Sequence, residues 1–151
     1  MENTVQYTPA GVGVELAAPD AVLTVKVSAK NTADQYELFE VTAQRGPATP
    51  LHRTDWHKTY YALHGRMIVQ IGDEGYDLGP GCSIAIPPNA PHTFTVLTPS
   101  ITFLVVSLTG LMGRFHADID AMVPHGRSMQ DAAAELQAVL ARHPVSVEGM
   151  P

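Results

Sequence analysis

An all-β fold followed by a C-terminal helix is what this sequence predicts, and three observations carry the expectation. Short segments alternating apolar with polar or small residues recur between Gly11 and Leu108, the period a strand imposes by sending successive side chains to opposite faces. Twelve glycines and twelve prolines punctuate the chain, and both residues mark turns. Near the C-terminus the alternation gives way to a helical spacing.

Residues 11–17 (GVGVELA) and 21–28 (AVLTVKVS) read as the first two strands, with Pro19-Asp20 turning between them. A polar loop, 30–35 (KNTADQ), leads into 36–43 (YELFEVTA), where Phe39 and Val41 share a face, and 45–50 (RGPATP) breaks that strand. Residues 60–71 (YYALHGRMIVQI) divide at Gly65 into two short strands, and 72–75 (GDEG) has hairpin composition. A short strand at 76–78, the Gly79-Pro80-Gly81 turn and a strand at 83–86 end at Pro87-Pro88-Asn89. Strands follow at 93–97 and 101–108, the second almost wholly apolar and so central or at an interface. Eight to ten short strands between Gly/Pro turns indicate an antiparallel sandwich or barrel.

Residues 110–124 have no clean period, although Leu111, Met112, Phe115, Ile119 and Met122 are spaced apolar contacts. A helix is predicted over 129–143: Ser128 caps it, alanines favour it, Leu136, Val139, Leu140 and His143 form one stripe, and Pro144 stops it. The domain reading is a barrel core over 1–110 and an extension over 111–151 whose helix packs on the same domain. That extension is expected to cover one opening or a neighbour's surface, with Arg114, His116 and His125 as candidate lining residues.

A length of 151 residues fits one domain with its own core. The net charge of -6 provides no basic stripe and argues against nucleic acid as a partner. Cys82 is the single cysteine, which excludes an internal disulfide framework, and its apolar setting reads as a small buried hydrophobe. No run approaches the roughly 20 apolar residues a membrane helix needs, and the chain opens without a Lys/Arg-led apolar segment, so no membrane partner is expected and the cytoplasm is the default location.

Four of the seven histidines, the Tyr60-Tyr61 pair and the only Trp fall between Gly46 and His92. Gly46, His52 and Gly65 keep the spacing G-x5-H-x-H-x3,4-E-x6-G, and Gly81, Pro87 and His92 keep that of G-x5-P-x-G-x2-H-x3-N, with Asn89 at the second glycine. In these segments, 46–65 and 81–96, the chain resembles the cupins, β-barrels of jelly-roll topology. The likeness is to small single-domain members of polyketide or aromatic secondary metabolism, some similar to flavonol dioxygenases and some to cyclases.

The resemblance implies a metal held by two histidines and a glutamate of the first motif and the histidine of the second. Carried over, His52 and His92 are retained, while Thr54 and Lys58 stand at the other two positions. A protonated lysine places positive charge where the ion would sit, and threonine is a weak ligand for metals that suit imidazole. No cofactor is therefore favoured. The alternative is Fe, Mn, Ni or Zn on His52, His57 and His92, which requires a bulge to turn His57 inward.

Without a bulge, Lys58 and Tyr60 face inward with His52, Thr54 and His92, and these five are the candidate catalytic residues. Trp56, Ala62, Ile84, Ile86, Phe94 and Val96 are the candidate substrate-binding walls. Such a set suits general acid-base isomerisation, cyclisation or dehydration of an oxygenated, largely apolar metabolite: an imidazole removes a proton while Lys58 and Tyr60 hold the developing oxyanion. The alternatives are a metal-dependent dioxygenase and a non-catalytic binding protein. The apolar strand 101–108 further predicts a homodimer.

Overall fold

The computed structural model describes residues 3–46, 48–128 and 130–148. The strands are β1 Val14–Ala17, β2 Val22–Val27, β3 Tyr36–Gln44, β4 His52–Thr54, β5 Lys58–His64, β6 Met67–Ile71, β7 Glu74–Leu78, β8 Ser83–Ile86, β9 His92–Val96, β10 Ser100–Leu108 and β11 Val145–Val147. Two helices, α1 Leu111–Met122 and α2 Ala133–Leu140, lie between β10 and β11.

Hydrogen bonding gathers the strands into two sheets, one ordered β1-β2-β3-β10-β5-β8 and one ordered β11-β4-β9-β6-β7. Their inner faces meet: Phe94 of β9 packs edge-on to Phe103 of β10, with ring centroids 5.8 Å apart. The period of two decides which residues enter this core. On β10, Ile101, Phe103, Val105 and Ser107 are buried while Val106 and Leu108 are exposed. As predicted, β10 is central, between β3 and β5.

One rung across the inner face of the larger sheet is polar. Ser107 is in register with Glu37 on β3 and with Lys58 on β5, and Lys58 in turn with Ile86 on β8. Glu37, Ser107 and Lys58 are all buried. Glu37 meets the start of α1, where Glu37 Oε2 accepts a hydrogen bond from the Gly113 N–H at 3.0 Å, filling one of the donors a helix N-terminus leaves free.

The chain after β10 departs from the sequence expectation. Residues 110–124, where no period was clear, contain α1, with Met112, Phe115 and Ile119 buried at helical spacing. Gly110 and Gly113 obscure that pattern. The predicted helix over 129–143 contracts to Ala133–Leu140. Ser128 Oγ does accept the Asp131 N–H, at 3.1 Å, but regular helix starts only after that turn. Two strands also went unread: β4, just after the 45–50 break, and β11, after Pro144. Each is three residues long, and they pair with each other from Thr54↔Val145 to His52↔Val147. Cys82, expected to be buried, is exposed because it follows directly on the Gly79-Pro80-Gly81 turn.

Candidate functional site

The first-motif residues reach the interior by strand alternation. On β4, Thr54 is buried and Arg53 exposed. The chain then turns through Asp55, Trp56 and His57, burying the Trp56 side chain and exposing His57. With β5 beginning at Lys58, the inward set is Lys58, Tyr60 and Ala62. No bulge turns His57 inward, so the His52, His57, His92 metal site is not assembled.

His52 and His92 are register partners across β4 and β9, with ring centroids 4.2 Å apart. His52 Nδ1 lies 3.0 Å from the Pro50 carbonyl oxygen, and His92 Nδ1 lies 2.8 Å from that of Ala90. A carbonyl only accepts, so each Nδ1 carries the proton and each Nε2 keeps a bare lone pair.

A small inner cavity of about 80 Å³ is bounded by His52, Thr54, Trp56 and Lys58, with Asp20 at one side and Phe115 and His116 of α1 above. Three of its bounding polar atoms, Thr54 Oγ1, Trp56 Nε1 and His116 Nδ1, are buried without a hydrogen-bond partner, as are His92 Nε2 and Ser107 Oγ nearby in the fold. Unpaired buried polar groups are uncommon and each costs on the order of 1–3 kcal/mol. Three of the five such atoms found among the described residues border this one cavity.

Burial dominates the electrostatics. It lowers Lys58 to about 7, with Asp20 partly opposing. It lowers His52 to about 4 and His116 to about 3, in each case helped by the Lys58 charge, and it drives His92 well below the usual imidazole range. Burial raises Asp20, against the pull of its backbone hydrogen bond and of Lys58, and raises Tyr60. Near pH 7 the three imidazoles are thus neutral, Tyr60 keeps its proton, and Lys58 titrates.

Other candidates are placed differently. Tyr60 backs the cavity without bounding it: its ring packs on Phe103 at 5.0 Å, and Lys58 Nζ stands 5.5 Å from its centroid. His92 likewise stands behind His52. Phe94 and Val96 line a second, larger cavity of about 850 Å³. Ala62 and Ile86 are core residues and Ile84 packs against that core; these three line neither cavity, because the inner faces of β5 and β8 are filled by packing at these positions.

Asp20 was read only as a turn residue, and nothing in its local sequence signals the cavity. His116 did carry a signal: with Met112, Phe115 and Ile119 it completes an i, i+3, i+4, i+7 face on α1. Arg114 and His125 are directed elsewhere, Arg114 to Asp34 at 3.2 Å and His125 to the Asp120 carbonyl at 2.9 Å.

Solved structures of similar shape include the polyketide cyclase RemF from Streptomyces resistomycificus, at 25% identity and a TM-score of 0.60, covering 70% of this chain and 80% of that one. KdgF from Halomonas sp. aligns with a TM-score of 0.62 at 16% identity, over 70% of this chain and 94% of the other. A family model described as Cupin domain matches residues 39–107. The chain has the cupin fold.

Quercetin 2,3-dioxygenase of Bacillus subtilis (strain 168) is 24% identical to this chain over 116 residues, 76% of its length. The chain spans about a third of that relative's length, 34%. Among the described residues, no group of three or more His, Cys, Asp or Glu is placed to hold a metal ion. Two bare imidazole nitrogens facing a lysine in place of the family glutamate do not fit the cupin metal centre. Among the described residues, no helix is long and apolar enough to cross a membrane.

Proposed function

We propose that this cupin is an enzyme that moves a proton on an oxygenated, largely apolar small molecule, isomerising, cyclising or dehydrating it by general acid-base catalysis. The observation that carries the reading is the inner cavity, where a bare imidazole nitrogen, a titrating lysine and unpaired Trp56 and Thr54 donors surround space for one polar group. The likeness to a polyketide cyclase supports a carbonyl-bearing substrate.

In this mechanism His52 Nε2 takes a proton from a carbon beside a carbonyl, and the C–H electron pair moves to the carbonyl oxygen. Lys58 Nζ, Trp56 Nε1 and Thr54 Oγ1 stabilise that oxygen as it becomes negative. A base lowered to about 4 is weak, so catalysis depends chiefly on stabilising the oxyanion in a dry site. Returning the proton to a different carbon isomerises the substrate. Attack of the enolate carbon on a second carbonyl cyclises it, that carbonyl's π pair moving to its oxygen, which takes the proton back from the His52 imidazolium; departure of a β-hydroxyl as water, protonated by Lys58, dehydrates it. The Tyr60 ring face favours the ammonium form of Lys58, and His92 backs the His52 ring.

Solvent deuterium incorporation into a panel of ketones, followed by NMR, tests the proposal. Exchange should fall at least about 100-fold in His52→Gln and in Lys58→Met, and in the native protein it should decline above pH 7 as the Lys58 ammonium is lost. Exchange indifferent to both substitutions, or dependent on a stoichiometric metal, would overturn the assignment. A protein that binds ketones tightly without exchanging them would instead be a non-catalytic binder.

The exposed side of the larger sheet supports a homodimer. Tyr36, Tyr61, Val106 and Leu108 are exposed there, on the adjoining strands β3, β5 and β10, with Leu108 in register with Tyr36.

A further inference from the structure

The larger cavity lies where the ends of β2 and β3, strand β9 and helix α2 converge. Its walls are mostly apolar, with Ala21, Ala43, Phe94, Val96, Ala133 and Leu136 among them. The polar side chains of Gln44, Arg45, Gln130 and Glu148 also line it and are all exposed, which puts them at the solvent edge. At about 850 Å³ it falls within the roughly 300–1,000 Å³ of sites that bury most of a drug-sized molecule.

This space adjoins the inner cavity. Ala18, Asp20, Thr49, Pro50, Leu136 and Val147 line both, so the two share a wall. Their sizes are very unequal. A water molecule's share of the liquid is about 30 Å³, so about 80 Å³ admits a carbonyl and its nearest carbons but no ring system.

We infer that the two cavities form one elongated binding site, in which the outer cavity holds the apolar body of an aryl or long-chain ketone and the inner cavity admits only its reacting end. The inference rests on the acid-base reading for what happens at the inner end, but not for the binding itself. Asp20 in the shared wall and Lys58 at the inner end carry opposite charges when ionised, so a neutral dipole such as a ketone or hydroxyl is matched better than an ion of either sign. Helix α2 belongs to this site through Ala133 and Leu136, which gives the segment after β10 a direct part in substrate selection.

Two ketones of equal reactive end and unequal body separate the possibilities: acetone and methyl naphthyl ketone, each titrated calorimetrically into the full-length chain. The naphthyl ketone should bind at least about 100-fold more tightly. Ala133→Phe on α2 and Ala21→Phe on the opposite wall each fill the outer cavity alone. Each should reduce the naphthyl-to-acetone affinity ratio at least tenfold, and using two walls guards against one variant failing to fold. Equal affinities in the native protein, or an unchanged ratio in both folded variants, would overturn the inference. Size-dependent binding without exchange in the native protein would sink the acid-base reading and support the elongated site.

Discussion

Replacing Lys58 by Met should make the protein more stable and less active. The side chain is 5% exposed, and burial brings its pKa from 10.5 to about 7. Each pH unit between those values is worth about 1.4 kcal/mol, so an ammonium at this position costs the native state at most about 5 kcal/mol. The sign follows from proton counting. Between pH 7 and 10.5 the unfolded chain binds the lysine proton and the native chain largely does not, so this group makes stability rise with pH over that window. Below pH 7 both states are protonated and the penalty is complete. Methionine fills similar space without charge, so Lys58→Met should gain about 2–4 kcal/mol at pH 6, shrinking towards zero as pH approaches 10.5. Urea unfolding of both proteins at pH 6, 7.5 and 9 measures this directly. A variant less stable at pH 6, or a difference that does not vary with pH, would refute a desolvated lysine. Stability gained with catalysis lost is the trade expected of a functional site.

Glu37→Gln tests the other ionisable member of the buried rung. Burial lifts the Glu37 carboxyl from 4.5 to about 7. The stability it confers is present below pH 4.5 and lost as pH rises to about 7, because there the native state holds the proton the unfolded state has released. Glutamine can still accept from the Gly113 N–H, so the variant should match the native protein at pH 4.5 and exceed it by about 1–3 kcal/mol at pH 8; thermal unfolding that differs equally at both pH values would contradict this. For the dimer, Val106→Lys should shift sedimentation from two copies to one without altering the far-UV spectrum. A native chain sedimenting as a single copy would end that proposal.

The strands that could be read from the sequence are those whose alternation spans a wide sheet face, such as Phe39, Val41 and Ala43 on β3 or Ile101, Phe103 and Val105 on β10. β4 and β11 were missed because three residues hold too little alternation to register, and each needs the other, some ninety residues away, to become a strand. The inward direction of Lys58 was legible as a consequence of period two, and so was the competing outward direction of His57. What chose between them was the turn at Asp55-Trp56, where burying the indole sets the phase of β5. Asp20 was out of reach because its role arises from proximity to the Lys58 charge and to α2, both distant in sequence. The two cavities depend on where α1 and α2 come to rest, which no local pattern encodes.

The rung of Glu37, Ser107 and Lys58 makes neutrality an inversion point for the protein's interior. Below about pH 7 the carboxyl is uncharged and the ammonium is positive; above it the carboxylate is negative and the amine uncharged. Crossing that point removes a proton from each end of the rung, and between the ends lies the buried Ser107 hydroxyl, which has no hydrogen-bond partner. At the Lys58 end, which bounds the inner cavity, a substrate oxygen gathering negative charge would meet an ammonium on the acid side of neutrality and an uncharged amine on the alkaline side.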